Sequence, residues 1–72
     1  MVKAIVLVKS PKKLIEARLK RISLVYESFP VSGQFDAVAV IKVKSLAEIK
    51  NITTDIQKIN GVERTETMIE VQ

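Results

Sequence analysis

A run of seven residues near the middle of the chain restricts the possible folds more than any other segment. Residues 37 to 43, Ala-Val-Ala-Val-Ile-Lys-Val, are apolar at six positions. A strand with one exposed face alternates apolar and polar residues, because successive side chains point to opposite sides. Here both sets are apolar, with Ala37, Ala39, Ile41 and Val43 on one side and Val38 and Val40 on the other. The pattern predicts a central strand that is covered on both faces.

The first half of the chain reads as strand, helix and strand. Residues 4–8 are apolar and rich in β-branched side chains, which indicates a buried strand. Ser10 and Pro11 are of the types preferred at the N-cap and first position of a helix. Apolar residues at helical spacing predict that this helix extends from residue 11 to residue 20 or 21. Looser alternation over residues 22–29 predicts an outer strand with successive side chains on opposite faces.

The second half repeats this order after a turn and the central strand. Ser45 and Glu48 have the spacing of a capping box. Apolar residues three or four positions apart over residues 46–59 then predict a helix packed on a sheet. Gly61 has the usual position of a left-handed C-cap. The last strand is predicted over residues 62–71.

The resulting order, βαββαβ, favours one fold class. Right-handed crossovers give an α+β, ferredoxin-like sandwich, a four-stranded antiparallel sheet with both helices on one face. The first and third strands are then central, which agrees with their apolar character. The sequence contains no linker or low-complexity segment, so residues 1–72 are predicted to form a single domain.

Two helices can cover only one face of this sheet, so the opposite face needs another cover. A monomer rarely exposes a large contiguous apolar patch, and symmetric pairing is the commonest route to a closed oligomer. We therefore predict a homodimer that packs sheet to sheet, with Val38 and Val40 facing the partner. A heteromeric partner or a lost neighbouring domain is the competing explanation.

The composition argues against most catalytic and metal chemistry. The chain has no cysteine and no histidine, which excludes disulfides, thiolate metal sites and Ser-His-Asp or Cys-His catalytic sets. With two glycines it has no Gly-rich phosphate loop. The predicted central strands carry no aromatic residue on which RNA bases could stack. We predict neither enzymatic activity nor a cofactor or metal.

Charge and hydropathy add two further expectations. Five basic residues cluster in one segment, Lys12, Lys13, Arg18, Lys20 and Arg21, in a chain of net charge +4. This cluster is typical of a solvated helix face, and a nucleic-acid surface is the alternative. The apolar run near the start is too short to cross a bilayer and lacks a cleavage site, so a soluble cytoplasmic protein without membrane contact is the expectation.

Three ordered motifs carry a resemblance to a known family. They are Val-Ser-Gly-Gln-Phe-Asp at residues 31–36, Ile-Asn-Gly-Val at residues 59–62, and Arg-Thr-Glu-Thr-Met-Ile at residues 64–69. Together they resemble the ligand domain of the leucine-responsive/asparagine-responsive (Lrp/AsnC) regulators. Asn60 departs from that family's pattern, which has proline at this position.

The resemblance implies a βαββαβ domain that dimerises through its sheets and assembles further into octamer- or decamer-type rings. It also implies binding of amino acids or related metabolites between dimers. Family members usually begin with a helix-turn-helix, and nothing precedes Met1 in this sequence. The resemblance therefore indicates a free-standing ligand domain, an accessory to transcription regulation that has full-length regulators as possible partners. Alone it would not recognise a DNA sequence.

Six residues match the ligand positions that the resemblance implies: Gly33, Gln34, Phe35, Asp36, Thr65 and Thr67. Asp36 would accept the ligand's ammonium group, and the two threonines would donate to its carboxylate. The backbone of Gly33 would border the ligand, while Gln34 and Phe35 would tune selectivity.

The sequence leaves other functions open. An ACT-type amino-acid sensor has the same element order but pairs its sheets side by side. A ligand-free assembly subunit is a second alternative. A small ferredoxin-like monooxygenase is the third, and the lack of histidine counts against it.

Overall fold

The computed structural model describes residues 1–71 and shows the predicted element order. The elements are β1 (Val2–Lys9), α1 (Glu16–Lys20), β2 (Val25–Pro30), β3 (Ala37–Val43), α2 (Leu46–Gln57) and β4 (Arg64–Ile69). The strands form one antiparallel sheet in the order β2-β3-β1-β4. The predicted α+β, ferredoxin-like fold is confirmed, with β1 and β3 at the centre of the sheet.

The hydrophobic core lies between the helices and one face of the sheet. Alternate residues of β1 and β3 pack against two apolar residues of the α1 region and three of α2. These residues are Ala4, Val6, Val8, Ala37, Ala39, Ile41, Val43, Ile15, Leu19, Ile49, Ile52 and Ile56. The spacing of Ile15 and Leu19, and of Ile52 and Ile56, places each pair on one side of its helix, so the apolar pattern of the sequence explains this layer.

The sheet face turned away from the helices is apolar as well, and we call it the open face. Ile5 and Leu7 of β1 pair with Val40 and Val38 of β3, and Ile5 also pairs with Met68. The two valines are only 7% exposed because side chains of the neighbouring strands shield them. The exposed apolar surface lies mostly toward the sheet edges, at Tyr26 (51%), Phe29 (40%) and Met68 (50%).

The first helix is much shorter than predicted. Ser10 is not its N-cap, because the Ser10 hydroxyl donates to the Lys13 carbonyl at 2.8 Å and so closes a local turn. The Ser10 N–H donates to the Asp36 carboxylate at 2.7 Å, which ties this segment to the residue that precedes β3. The helix begins at Glu16 after Ile15, whose side chain makes no capping hydrogen bond.

The second strand also differs from the prediction. It begins at Val25, after Leu24 takes a left-handed backbone conformation with φ of 75°. A bulge between Val25 and Glu27 then interrupts the register with β3. The Lys42 ammonium group lies 5.1 Å from the centre of the Tyr26 ring, so Tyr26 lies on the open face. Glu27 lies on the same face, because it pairs with Val40. The alternation of the sequence predicted these two neighbours on opposite faces, and the bulge explains the difference.

The second helix begins as predicted and ends earlier. Its capping box is present, and Glu48 Oε1 accepts the Ser45 N–H at 3.3 Å. The helix ends at Gln57, so Gly61 is not its C-cap. Gly61 lies in a later turn, closed by a 3.1 Å hydrogen bond from the Val62 N–H to the Ile59 carbonyl, with φ of +106°. β1 is longer than predicted, and β4 is shorter.

Candidate functional site

Three loops meet at one end of the sheet, which we call the loop end. They are the β1–α1 segment (residues 10–15), the β2–β3 turn (residues 31–36) and the α2–β4 turn (residues 58–63). They come together because the C-terminal ends of β1 and β2 and the N-terminal ends of β3 and β4 lie at this end of the antiparallel sheet. Four of the six predicted ligand residues lie in the β2–β3 turn, and the other two, Thr65 and Thr67, lie in β4.

Asp36 ties the β2–β3 turn to the rest of the loop end. Its N–H donates to the Val8 carbonyl at 2.9 Å, and its own carbonyl accepts the Val31 N–H at 3.0 Å. Its Oδ2 accepts the Ser10 N–H at 2.7 Å, a short bond of the charge-assisted kind. The carboxylate therefore shapes the turn and presents a negative charge there.

The Gly33–Phe35 part of the turn extends away from the core. Gly33 has φ of +116°, and a Cβ built on it would meet no atom within 4 Å, so glycine is required here by the backbone and not by crowding. The carbonyl of Gln34 accepts a hydrogen bond from Lys9 Nζ at 3.3 Å. This bond connects the turn to the end of β1.

Phe35 connects the same turn to β4. The Arg64 guanidinium lies 5.2 Å from the centre of the Phe35 ring, a cation–π contact. Arg64 pairs with Lys9 across the β1–β4 ladder, so two cations lie side by side at this corner. Sequence reasoning did not assign either cation to the site, although Arg64 stands in one of the three motifs that carry the resemblance.

Thr65 and Thr67 lie on the helix side of β4. They pair with Val8 and Val6, whose side chains belong to the core. Thr65 Oγ1 accepts a hydrogen bond from Gln57 Nε2 at 3.0 Å, which leaves its hydroxyl hydrogen to donate elsewhere. Both threonines are half-buried.

The predicted ligand residues therefore form two groups within one chain. The turn residues meet the sheet through Lys9 and Arg64, whose positions in the β1–β4 ladder belong to the open face. The threonines lie on the other side of β4, toward α2. None of the six is fully buried, so the loop end of a single chain is an open corner and not an enclosed cavity.

A separate groove of 270 Å³ lies between the β1–α1 segment and the end of β2. Its walls are Ser10, Pro11, Lys12, Lys13, Leu14, Ile15, Glu16, Pro30, Val31, Asp36 and Ala37. Of the six predicted residues only Asp36 borders it. The buried Ser10 hydroxyl in its wall already has its partner in the Lys13 carbonyl, so the groove presents no unpaired buried polar side chain.

Residues 1–71 contain no cluster of three or more Asp, Glu, His or Cys side chains that could hold a metal ion. No helix in this part of the chain is long and apolar enough to cross a membrane.

Comparison with known proteins gives a consistent result. The family model described as the Lrp/AsnC ligand binding domain matches residues 3–72. Among curated proteins, none matches the chain.

Three solved structures are similar over essentially the whole chain. The protein TTHA0845 from Thermus thermophilus is 29% identical with a TM-score of 0.92, and the match covers 100% of this chain and 95% of that one. The hypothetical protein PHS023 from Pyrococcus horikoshii is 25% identical with a TM-score of 0.85, covering 100% and 92%. FFRP-DM1 is 28% identical with a TM-score of 0.83, covering 99% and 100%.

Proposed function

Because the chain belongs to the Lrp/AsnC ligand-binding domain family, we propose that it is an oligomeric regulatory domain that binds an amino acid at its loop end. This family consists of transcription-regulation proteins, and its domains generally oligomerise and bind small-molecule effectors. It is not an enzyme family. The amino-acid ligand, its site and the assembly are our proposals for this chain.

The observation that carries the proposal is the junction of the β2–β3 turn with β4 across the end of β1. The Lys9–Gln34 hydrogen bond and the Arg64–Phe35 contact hold the turn beside the strand that bears Thr65. These links hold the turn on the open-face side of β4, while Thr65 and Thr67 lie on its helix side. A site that is already held in place loses less conformational freedom when a ligand binds.

The polar groups at this corner match the two charged ends of an amino acid. Asp36 retains its negative charge and a second carboxylate oxygen after bonding to Ser10, and we assign it to the ligand's ammonium group. The exposed backbone around Gly33 and, from a neighbouring subunit, the hydroxyls of Thr65 and Thr67 serve as donors for the ligand's carboxylate. Gln34 and Phe35 border the ligand's side chain and tune selectivity.

The openness of the corner supports a site that is completed by another subunit. A small molecule normally buries most of its surface when it binds. The six residues are all partly or fully exposed in the single chain, so a neighbour must provide the remaining wall. We propose that two dimers meet here, within an octamer- or decamer-type ring.

The open face supports the dimer from which such a ring would be built. It joins half-buried Ile5 and Leu7 to exposed Tyr26, Phe29 and Met68 in one apolar surface. The helices cover the other face of the sheet, so a second copy placed on the open face would bury it without disturbing the core. Full-length Lrp/AsnC regulators are further proposed partners, which would bind through the open face or within the ring.

Calorimetric titration with each of the twenty amino acids tests the proposal. We expect at least one to bind, and Asp36→Asn to weaken it about tenfold or more, because a charge-assisted hydrogen bond contributes about 1.5–3 kcal/mol. Asn retains a side-chain oxygen for the Ser10 N–H, so this variant preserves the turn better than Asp36→Ala does.

Glu70→Gln is the matched control, since Glu70 follows β4 at the opposite end of the sheet. It removes the same charge and should leave the affinity unchanged. If no amino acid binds the wild-type protein, the chain is an assembly domain without an amino-acid ligand. Equal losses in both variants would mean that the site lies elsewhere.

A further inference from the structure

The net charge of the chain is concentrated in one segment, residues 12–21, which we call the basic segment. It contains Lys12, Lys13, Arg18, Lys20 and Arg21 with a single acidic residue, Glu16, and so carries a net charge of +4. The rest of the chain has seven basic and seven acidic residues, so its formal charge is zero. The basic segment therefore accounts for the whole excess.

All five cations of the basic segment are exposed. Ile15 and Leu19 bury the inner side of the segment against the sheet, which leaves the charged side chains on the outside. Lys20 pairs with Glu16 at 3.2 Å, and this is the one ion pair within residues 1–71. Four cations thus face solvent without a carboxylate partner in the described part of the chain.

The position of the basic segment matters for an assembly. It lies in the helix layer, on the side of the sheet away from the open face. In the dimer proposed above, the segment of each subunit would face outward and stay accessible. All residues of the basic segment come from one chain, so the segment is complete without the dimer.

We propose that the basic segment binds the phosphate backbone of double-stranded DNA without reading its sequence. Lysine and arginine side chains neutralise phosphates and release the counterions that surround a duplex. Outside the basic segment the formal charges sum to zero, and Lys9 and Arg64 at the loop end are engaged with the β2–β3 turn.

The composition of the segment favours a duplex over two other anionic partners. Lysine is depleted in the buried centres of protein interfaces, and three of the five cations here are lysines. Single-stranded nucleic acid is held largely by stacking on aromatic side chains, and residues 12–21 contain none. Binding to the phosphate backbone of a duplex needs only exposed positive charge, which this segment supplies.

Fluorescence anisotropy with a labelled random-sequence duplex tests the proposal at several salt concentrations. With four free cations, the affinity should fall by about a hundredfold between 50 and 200 mM salt, from a slope of about −0.9 for each neutralised phosphate. Two unrelated duplex sequences should bind equally well.

The test variant combines Lys12→Gln, Arg18→Gln and Arg21→Gln. It keeps Lys13, whose side-chain carbons pack beside Gly61. The same change in salt should then reduce the affinity only about three- to fourfold, because one free cation remains. All three replaced side chains are exposed, and an unchanged circular dichroism spectrum would show that the fold is preserved.

The matched control combines Lys44→Gln, Lys50→Gln and Lys58→Gln, three exposed lysines in or beside α2. It removes the same number of charges from the same layer and should keep the steep salt dependence. Equal losses in the two triple variants would overturn the assignment to the basic segment. Absence of duplex binding at 50 mM salt would overturn it too, and binding to poly-glutamate alone would indicate an acidic protein partner instead.

Discussion

At the scale of single residues, Asp36 connects the fold to the proposed site. Its bond to the Ser10 N–H spans 26 positions of sequence and holds two loops together, while its charge remains at the corner where a ligand would bind. The sequence could suggest Asp36 and Gly33 as turn residues, because both types favour tight turns. It could not identify Lys9 and Arg64, since their contacts with the turn depend on the exact register of β1 with β4.

Alanine substitution at Gly61 tests how tightly the α2–β4 turn packs, and the same substitution at Gly33 is the control. Both have positive φ, so alanine should destabilise either position by about 1–3 kcal/mol from backbone strain. A Cβ at Gly61 would also lie 3.1 Å from Lys13 Cβ, whereas a Cβ at Gly33 would meet nothing within 4 Å. Urea denaturation should therefore show a larger loss for Gly61→Ala than for Gly33→Ala. A smaller loss would mean that the α2–β4 turn is not packed against the β1–α1 segment as described.

At the scale of elements, local pattern predicted the start of α2 but not its end. The start of α2 follows from its capping box and apolar spacing, which involve residues a few positions apart. The start of α1 did not follow, because the Ser10 hydroxyl closes a turn onto the Lys13 carbonyl and the helix begins only after Ile15. The bulge at Tyr26 was also missed, because alternation alone does not reveal an extra residue in a strand.

The capping box offers a prediction for α2. Glu48 Oε1 accepts the Lys44 N–H at 2.7 Å and the Ser45 N–H at 3.3 Å, two backbone donors at the start of the helix. Glu48→Ala should lower the free energy of unfolding by about 0.5–2 kcal/mol, the usual range for loss of a helix cap. Asn51→Ala, an exposed change within the helix, is the control and should not destabilise it. Thermal or urea unfolding followed by circular dichroism measures both, and equal stability of Glu48→Ala and wild type would contradict the cap.

At the scale of the whole molecule, the sheet order was predictable because β1 and β3 are apolar on both faces and must be central. The sequence predicted that the open face is apolar, but not which of its residues are exposed. The sequence pointed to Val38 and Val40, yet the exposed apolar area lies mainly at Tyr26, Phe29 and Met68 near the edges. How side chains of adjacent strands shield one another depends on register, which the sequence does not display.

The proposed dimer leads to a prediction about Met68. Met68→Asp should convert the dimer into a monomer, because it places a charge in the apolar surface between the two sheets. The residue is half exposed in the single chain, so this change should leave the fold intact, whereas Val38→Asp would also disturb nearly buried packing. Asn51→Asp adds the same charge in the helix layer and should remain dimeric. Light scattering coupled to size exclusion gives the masses, and a dimeric Met68→Asp would place the interface elsewhere.

Mapping the ligand site in solution by NMR tests whether an amino acid binds at the loop end. Amide chemical shifts of the ¹⁵N-labelled protein should be followed while the amino acid that binds in calorimetry is added. We expect little change at Ser45, Glu48 and Glu70 at the other end of the sheet. The largest shifts are expected at the six proposed ligand residues, Gly33, Gln34, Phe35, Asp36, Thr65 and Thr67. Shifts confined to that other end, or to the exposed side of α2, would contradict the proposed site.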